Sequence, residues 1–157
     1  MADDAARTLF HPFETGLLPM PAAGARILVI GPGPDFSPPR GFDADLVLVQ
    51  GFRPSYNALA ARGFTVLPEP DRRERFDAAL ILLGRHRGEN DERLHRAALA
   101  VRPGGLVVVA GAKTNGADSL RKRLAAAFPG LGHAAKHHGL ALWFDRPDDR
   151  AVDTLLT

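Results

Sequence analysis

The chain has 157 residues, 45% of them hydrophobic and 24% charged, which suits one domain with one substantial core and leaves no room for a second. It contains no cysteine, which excludes a disulfide framework, a thiolate nucleophile and Cys-ligated zinc or iron–sulfur sites. The net charge of +2 is too small to indicate nucleic acid, but it is unevenly spread: residues 101–139 hold Arg102, Lys113, Arg121, Lys122, Arg123 and Lys136 against Asp118 alone.

Met1 to Arg7 carries Asp3 and Asp4 with a single Arg, the wrong charge for a secretory n-region, and no apolar run approaches the roughly 18 residues that cross a bilayer. The expectation is a soluble, cytoplasmic chain with no membrane partner. Residues 1–24 read as an irregular lead-in rich in Pro and Gly, with Leu9, Phe10 and Phe13 packed on a neighbour. Arg26 to Ile30 is a first buried strand ending at the turn Gly31-Pro32-Gly33-Pro34, and Leu46 to Gln50 is a second. A helix capped by Ser55 runs to Arg62, where Gly63 can supply the left-handed stop. Phe64 to Leu67 is a third strand.

Phe76 to Leu83 is apolar on both faces, as a central parallel strand must be. A helix from about Asn90 to Val101 follows, with Leu94, Ala97, Ala98 and Val101 at helical spacing. Arg102-Pro103-Gly104-Gly105 ends it, and Leu106 to Ala110 is the next buried strand. Asn115 offers a cap, with Asp118 three residues on, to a helix whose inner face is Leu120, Leu124 and Phe128. Gly132 to Lys136 and Leu140 to Phe144 flank His137-His138-Gly139 as a closing hairpin, in which at least one of Trp143 and Phe144 must point inward. The expected fold class is α/β: a Rossmann-like, open, mostly parallel sheet over residues 25–147, closed by an antiparallel hairpin. Residues 148–157 read as the start of a linker or tail.

The helix ending in VRPGG before VVVAG, and the hairpin with its aromatic pair, resemble the class I methyltransferase fold. More narrowly, HPFETG, the segment from FDAALILLGRHRG through AGAKTNGADSLRKRL to AAAFPG, and AKHHGLALWFD resemble the amino-terminal domain of two-domain bacterial 16S ribosomal RNA guanine-N2 methyltransferases. The similarity covers about His11 to Asp145. It implies a non-catalytic copy that supports the folding of a carboxy-terminal catalytic domain and holds ribosomal RNA or the small ribosomal subunit. On that reading S-adenosylmethionine belongs to the catalytic copy, which lies outside this sequence.

A working copy needs a glycine-rich first turn whose N–H groups approach the cofactor, but Pro32 and Pro34 have no N–H to offer. Gly31 and Gly33 are therefore degenerate equivalents. Gln50 stands where an acid would take the ribose hydroxyls, and a solvent-facing Gln is the plainer reading. Enzymes of the resembled family carry an Asn-Pro-Pro-aromatic loop after the fourth strand; here Gly84-Arg85-His86-Arg87 places donors where acceptors are needed. No catalytic residue and no bound cofactor are expected.

Arg85, Arg87 and Lys113 lie beyond strand ends, where open sheets place ligand sites, and Arg121 and Lys122 could extend a rim for RNA or phosphate. A solvated surface balanced by Glu89, Asp91 and Glu92 is the competing explanation. Tyr56 and Phe52 beside Arg53 are weaker RNA-facing candidates. His133, His137 and His138 lack the companions a metal site needs, so no metal is expected. The rivals to the resemblance are a stand-alone small-molecule methyltransferase or nucleotide-binding domain of the same fold, and a purely structural interaction domain.

Overall fold

Apolar runs with no polar face are stable only where both sides of a sheet are covered, and they set the centre of this molecule. The computed structural model describes residues 4–71 and 74–156. In chain order the elements are α1 (Asp4–Glu14), β1 (Arg26–Ile30), β2 (Asp45–Val49), α2 (Arg53–Ala61), β3 (Thr65–Leu67), β4 (Phe76–Leu82), α3 (Arg87–Ala100), β5 (Val101–Ala112), α4 (Ala117–Ala127), β6 (Gly132–Lys136), β7 (Gly139–Asp145) and α5 (Asp149–Leu156). One sheet of seven strands has the order β3-β2-β1-β4-β5-β7-β6. The first five strands are parallel, and β7 returns antiparallel between β5 and the edge strand β6.

Side chains alternate between the two faces of each strand, so each face needs its own cover. On one face Leu28, Val47, Ile81 and Val109 pack under Leu94 and Ala97 of α3 and Leu120 and Leu124 of α4. On the other, Ile27, Val29, Leu48, Leu80 and Val108 are covered by α1, α2 and the chain between β1 and β2. That connection contains no helix. Its Phe36 and Phe42 are buried instead, and Phe42 meets the rings of Phe10 and Phe13 edge-on at 5.1 and 5.2 Å between centroids. Such ring pairs contribute about 0.5–1.5 kcal/mol each beyond the area they bury.

Several expectations are corrected. The lead-in is irregular only from residue 15 to residue 24: before that, α1 holds Leu9, Phe10 and Phe13 on its buried side, and Pro12 is accommodated in its last turn. Docking on the phenylalanine loop outweighs the helix-breaking cost of that proline. Helix α2 starts at Arg53 rather than Ser55, with Pro54 in its first turn, while Gly63 is left-handed as expected at φ +93°. Helix α3 starts at Arg87, and the strand after it begins at Val101, because Val101 pairs with Phe76 before a register shift carries the chain through Arg102 to Gly105. The cap of α4 is Gly116, not Asn115, which lies in a short 3-10 turn. In the hairpin, Phe144 is buried and stacks on Phe128 at 4.4 Å, whereas Trp143 is half-buried on the opposite face.

The stretch read as a linker or tail is helical over Asp149–Leu156, where α5 follows a buried arginine. The Arg146 side chain is fully enclosed. Its Nε donates to the Ala98 carbonyl at 2.9 Å and its Nη1 to the Pro147 carbonyl at 2.7 Å, while Nη2 meets the Asp149 carboxylate. Nearby, Arg75 Nη1 donates to the Leu99 carbonyl at 2.7 Å. Two guanidinium groups thus bond carbonyls in the last turn of α3, the Leu99 carbonyl and the Ala98 carbonyl that also accepts the Val101 N–H, at the end where the helix dipole favours cations. Arg146 also returns two backbone bonds to Gly104 and Gly105, each at 2.8 Å.

Replacing Arg146 with Ala should lower unfolding stability by about 2–4 kcal/mol in urea denaturation, since buried acceptors lose charged donors. Asp149→Asn should act differently. The Arg146 guanidinium, by hydrogen bond and charge, holds the Asp149 carboxyl below its usual range, so its contribution is present above about pH 4 and lost as pH falls through the depressed value. The variant should therefore lose less stability than wild type on acidification below about pH 4, and an identical acid limb would contradict this role.

Candidate functional site

Strand order reverses between β1 and β4, the place where open α/β sheets form a ligand crevice beyond the carboxyl ends of the strands. Five loops meet there, and side chains of this chain brace most of them.

After β1, Gly31 takes φ +84° and its N–H is used by the Val49 carbonyl at 3.0 Å. The Pro32 carbonyl accepts from Gln50 Nε2 at 2.7 Å, and the Phe52 N–H donates to Gln50 Oε1 at 2.9 Å. Gln50 is therefore not a solvent-facing residue: both ends of its half-buried amide tie the first loop to the second. The Pro34 carbonyl accepts from Arg62 Nη1 at 2.7 Å, and Arg62 Nη2 reaches Ser37 Oγ at 3.0 Å. Gly33 closes a tight turn, its carbonyl accepting from Phe36 N–H at 3.1 Å.

Over Gly31 lies the guanidinium of Arg93 from α3. Its Nη1 donates to the Leu82 carbonyl at 3.1 Å and its Nη2 pairs with Glu89. A β-carbon on residue 31 would stand 2.7 Å from Arg93 Nη1, so the approach requires glycine. What remains is a cleft of about 200 Å³ lined by Gly31, Gln50, Gly51, Glu69, Glu92 and Arg93 among others.

After β4, the Gly84 N–H donates to Asn90 Oδ1 at 2.7 Å and the Gly84 carbonyl accepts from Asn90 Nδ2 at 2.8 Å. Asn90 is itself buried, so one amide consumes both backbone groups of the residue that opens this loop. Arg85 and His86 are exposed beyond it. Arg87 begins α3, with Nε 3.9 Å from Asp91, and Asp91 also takes Arg123 of α4 at 2.8 Å. Of the other two acids set against the rim, Glu89 pairs with Arg93 and Glu92 with Arg96 at 2.7 Å.

Arg87, Asn115, Gly116 and Arg123 line one small depression between the β4 and β5 ends. Lys113, in the exposed turn after β5, donates its N–H to the His138 carbonyl at 3.4 Å and so lies beside the hairpin tip. Arg121 turns to the hairpin too, Nη2 lying 3.4 Å from His133 Nε2, and Lys122 is exposed on α4. The five rim candidates thus fall into two neighbourhoods. Phe52 is exposed, and the Arg53 guanidinium sits 5.2 Å from the Tyr56 ring centroid. Among the described residues, no three His, Cys, Asp or Glu side chains are grouped to hold a metal ion, and no helix is long and apolar enough to cross a membrane.

Neither protein-family models nor curated protein sequences match this chain. Solved structures do. The Thermus thermophilus 16S rRNA N2 methyltransferase RsmC, solved with AdoMet and guanosine, superposes with a TM-score of 0.70 at 20% identity over 93% of this chain. The chain has the class I methyltransferase fold. It spans 39% of that enzyme's length. The N-methyltransferase NodS of Bradyrhizobium japonicum matches at 17% identity and TM-score 0.60, over 88% of this chain and 98% of NodS. An rRNA methylase of Streptococcus thermophilus matches at 10% identity and TM-score 0.58, over 93% of both chains.

Sequence reasoning missed Arg93 and Asn90 as site residues, since each acts on a loop that only the fold brings near. Replacing Asn90 with Ala should cost about 1–3 kcal/mol and speed hydrogen exchange at the Gly84 amide, while Asn90→Asp, which keeps an acceptor, should retain part of that protection. Unchanged exchange in the Ala variant would show that the loop is not held this way.

Proposed function

We propose that this chain is a non-catalytic, amino-terminal methyltransferase-like domain of an S-adenosylmethionine-dependent rRNA (guanine-N2) methyltransferase, which supports its catalytic neighbour and holds RNA. The observation that carries the reading is the use of the crevice by the chain's own groups. Arg93 lies over Gly31, the first turn offers prolines, and Gln50 is committed to loop bonds. An adenosyl cofactor would draw on backbone donors at the first turn, of which Pro32 and Pro34 have none, and on an acceptor at the end of β2, where Gln50 is committed to loop bonds; both support the reading. The loop after β4 lacks the Asn-Pro-Pro-aromatic pattern, and the Gly84 carbonyl that could orient an amine is bonded to Asn90.

A second reading, a stand-alone small-molecule methyltransferase, is favoured by the nearly complete coverage of NodS. The two differ in what the purified chain does. On the first reading, methyl incorporation into protein-free ribosomal RNA or small-subunit particles stays at the no-protein control, whereas incorporation into any acceptor supports the second.

Phosphate recognition by Arg85, Arg87 and Lys113, extended by Arg121 and Lys122, provides affinity with little sequence preference. Fluorescence anisotropy with a ribosomal RNA hairpin should show weak binding that falls with salt. The triple Ala variant of Arg85, Arg87 and Lys113 should reduce the salt slope by about 0.7 per lost contact. Equal affinity in wild type and variant would remove the rim from the reading.

A further inference from the structure

The two-residue turn between β6 and β7 has both central residues left-handed, His137 at φ +54° and His138 at φ +61°. Lys136 and Gly139 pair across it. This is the type I′ geometry for which Asn-Gly is the favoured pair, and an L-residue with a large side chain is disfavoured at either place. Histidine enters the left-handed region more readily than most side chains, and the turn sets two imidazoles side by side at the hairpin tip.

The turn is fixed by its neighbours and surrounded by cations. Thr8 Oγ1 lies 2.9 Å from both the Asp4 and the Lys136 carbonyls, its one proton shared between them, and so holds α1 against the hairpin. His11 of α1 meets the His137 ring edge-on at 6.5 Å between centroids, and the Lys113 N–H bonds the His138 carbonyl. From α1 the turn faces Asp4, Arg7 and His11; β6 brings Lys136 and the chain after β5 brings Lys113. Asp4 is the acid among the groups acting on His137, and it is already 3.5 Å from Arg7. Arg7, Lys113, Lys136 and His138 are exposed, and His11 and His137 half-buried.

We propose that the His137–His138 turn, with Arg7, His11, Lys113 and Lys136, is a proton-sensitive surface for the phosphodiester backbone of RNA. It rests on the RNA-holding reading above and adds to it a second, titratable neighbourhood that joins the rim at Lys113. Partial burial and the nearby Arg7 and Lys136 hold the His137 imidazole below its ordinary value in the free chain. A bound phosphate adds a further anion beside Asp4, which is already paired with Arg7, and raises that value. Binding then takes up a proton, so the added affinity is complete below the free-state pKa and is lost as pH rises through the bound-state pKa.

The test is anisotropy of a ribosomal RNA hairpin at low salt near pH 5.5 and near pH 7.5, values that bracket ordinary imidazole titration. Three proteins are compared: wild type, His137→Asn with His138→Gly, and Arg85→Ala with Arg87→Ala. The Asn-Gly variant has the residues that the turn prefers, so its melting temperature should equal or exceed that of wild type. Wild-type affinity should rise about tenfold at the lower pH, equivalent to a gain of one pKa unit on binding. The Asn-Gly variant should lose most of that rise, whereas the Arg85 and Arg87 variant should bind more weakly at both pH values with the ratio kept. A pH ratio unchanged in the Asn-Gly variant would overturn this surface and leave the RNA-holding reading intact. Absence of RNA binding by wild type at either pH would overturn both.

Discussion

A parallel sheet that is apolar on both faces must be covered on both, and that requirement governs this structure. Members of this architecture usually cover the sheet with the helices that carry the chain from one parallel strand to the next. Between β1 and β2 this chain has no such helix. The cover comes instead from α1, which enters from earlier in the chain, and from Phe36 and Phe42, which lock into its Phe10 and Phe13.

The missing helix matters at the crevice. A helix starting beyond β1 would present unpaired N–H groups and a favourable dipole to an anionic or polar ligand. The loop that replaces it has prolines at positions 32 and 34 and needs bracing from outside, which Gln50 and Arg62 supply. Arg93 then approaches Gly31 from the opposite face of the sheet, where α3 packs. The amide of Gln50, which stands where an acid would take ribose hydroxyls in a working copy, is spent on this bracing. Loss of a cofactor site and stability of the fold thus have a common physical origin in the proposed reading.

Much of this was legible in the residues. The apolar runs RILVI, LVLVQ, FDAALILL and LVVVA named the strands, because a strand buried on both faces cannot hide its composition. The hairpin was visible as two short runs about a polar turn. Helix α1 was hidden because Pro12, Gly16, Pro19 and Pro21 dominate the local signal while the aromatic partners that stabilise it lie some 30 residues away, at Phe36 and Phe42. Arg146 and α5 were hidden for a related reason: Arg-Pro-Asp-Asp has the composition of a linker, and only the carbonyls at the end of α3 make the arginine a core residue. Gln50, Asn90 and Arg93 are polar side chains whose roles are bonds to distant backbone, and periodicity carries no information about those. The left-handed histidines were likewise invisible, since His-His in a hairpin tip does not announce a type I′ turn.

The surface that remains is divided. Arg85 and Arg87 border the β4 end, while Lys113 leads to the hairpin and the start of α1. Neither neighbourhood lines the cleft over Gly31, so RNA contact by them would not require that cleft to open. The most direct measurement is a nuclear magnetic resonance titration of the isotope-labelled chain with S-adenosylhomocysteine to millimolar excess, following the Gly31 and Gly51 amides and the Arg93 side-chain Nε–H. If the chain's own groups use the crevice, these signals keep their positions throughout. Saturable shifts centred on Gly31 and Arg93 would mean that the cofactor displaces the guanidinium, and would contradict the loss of the site.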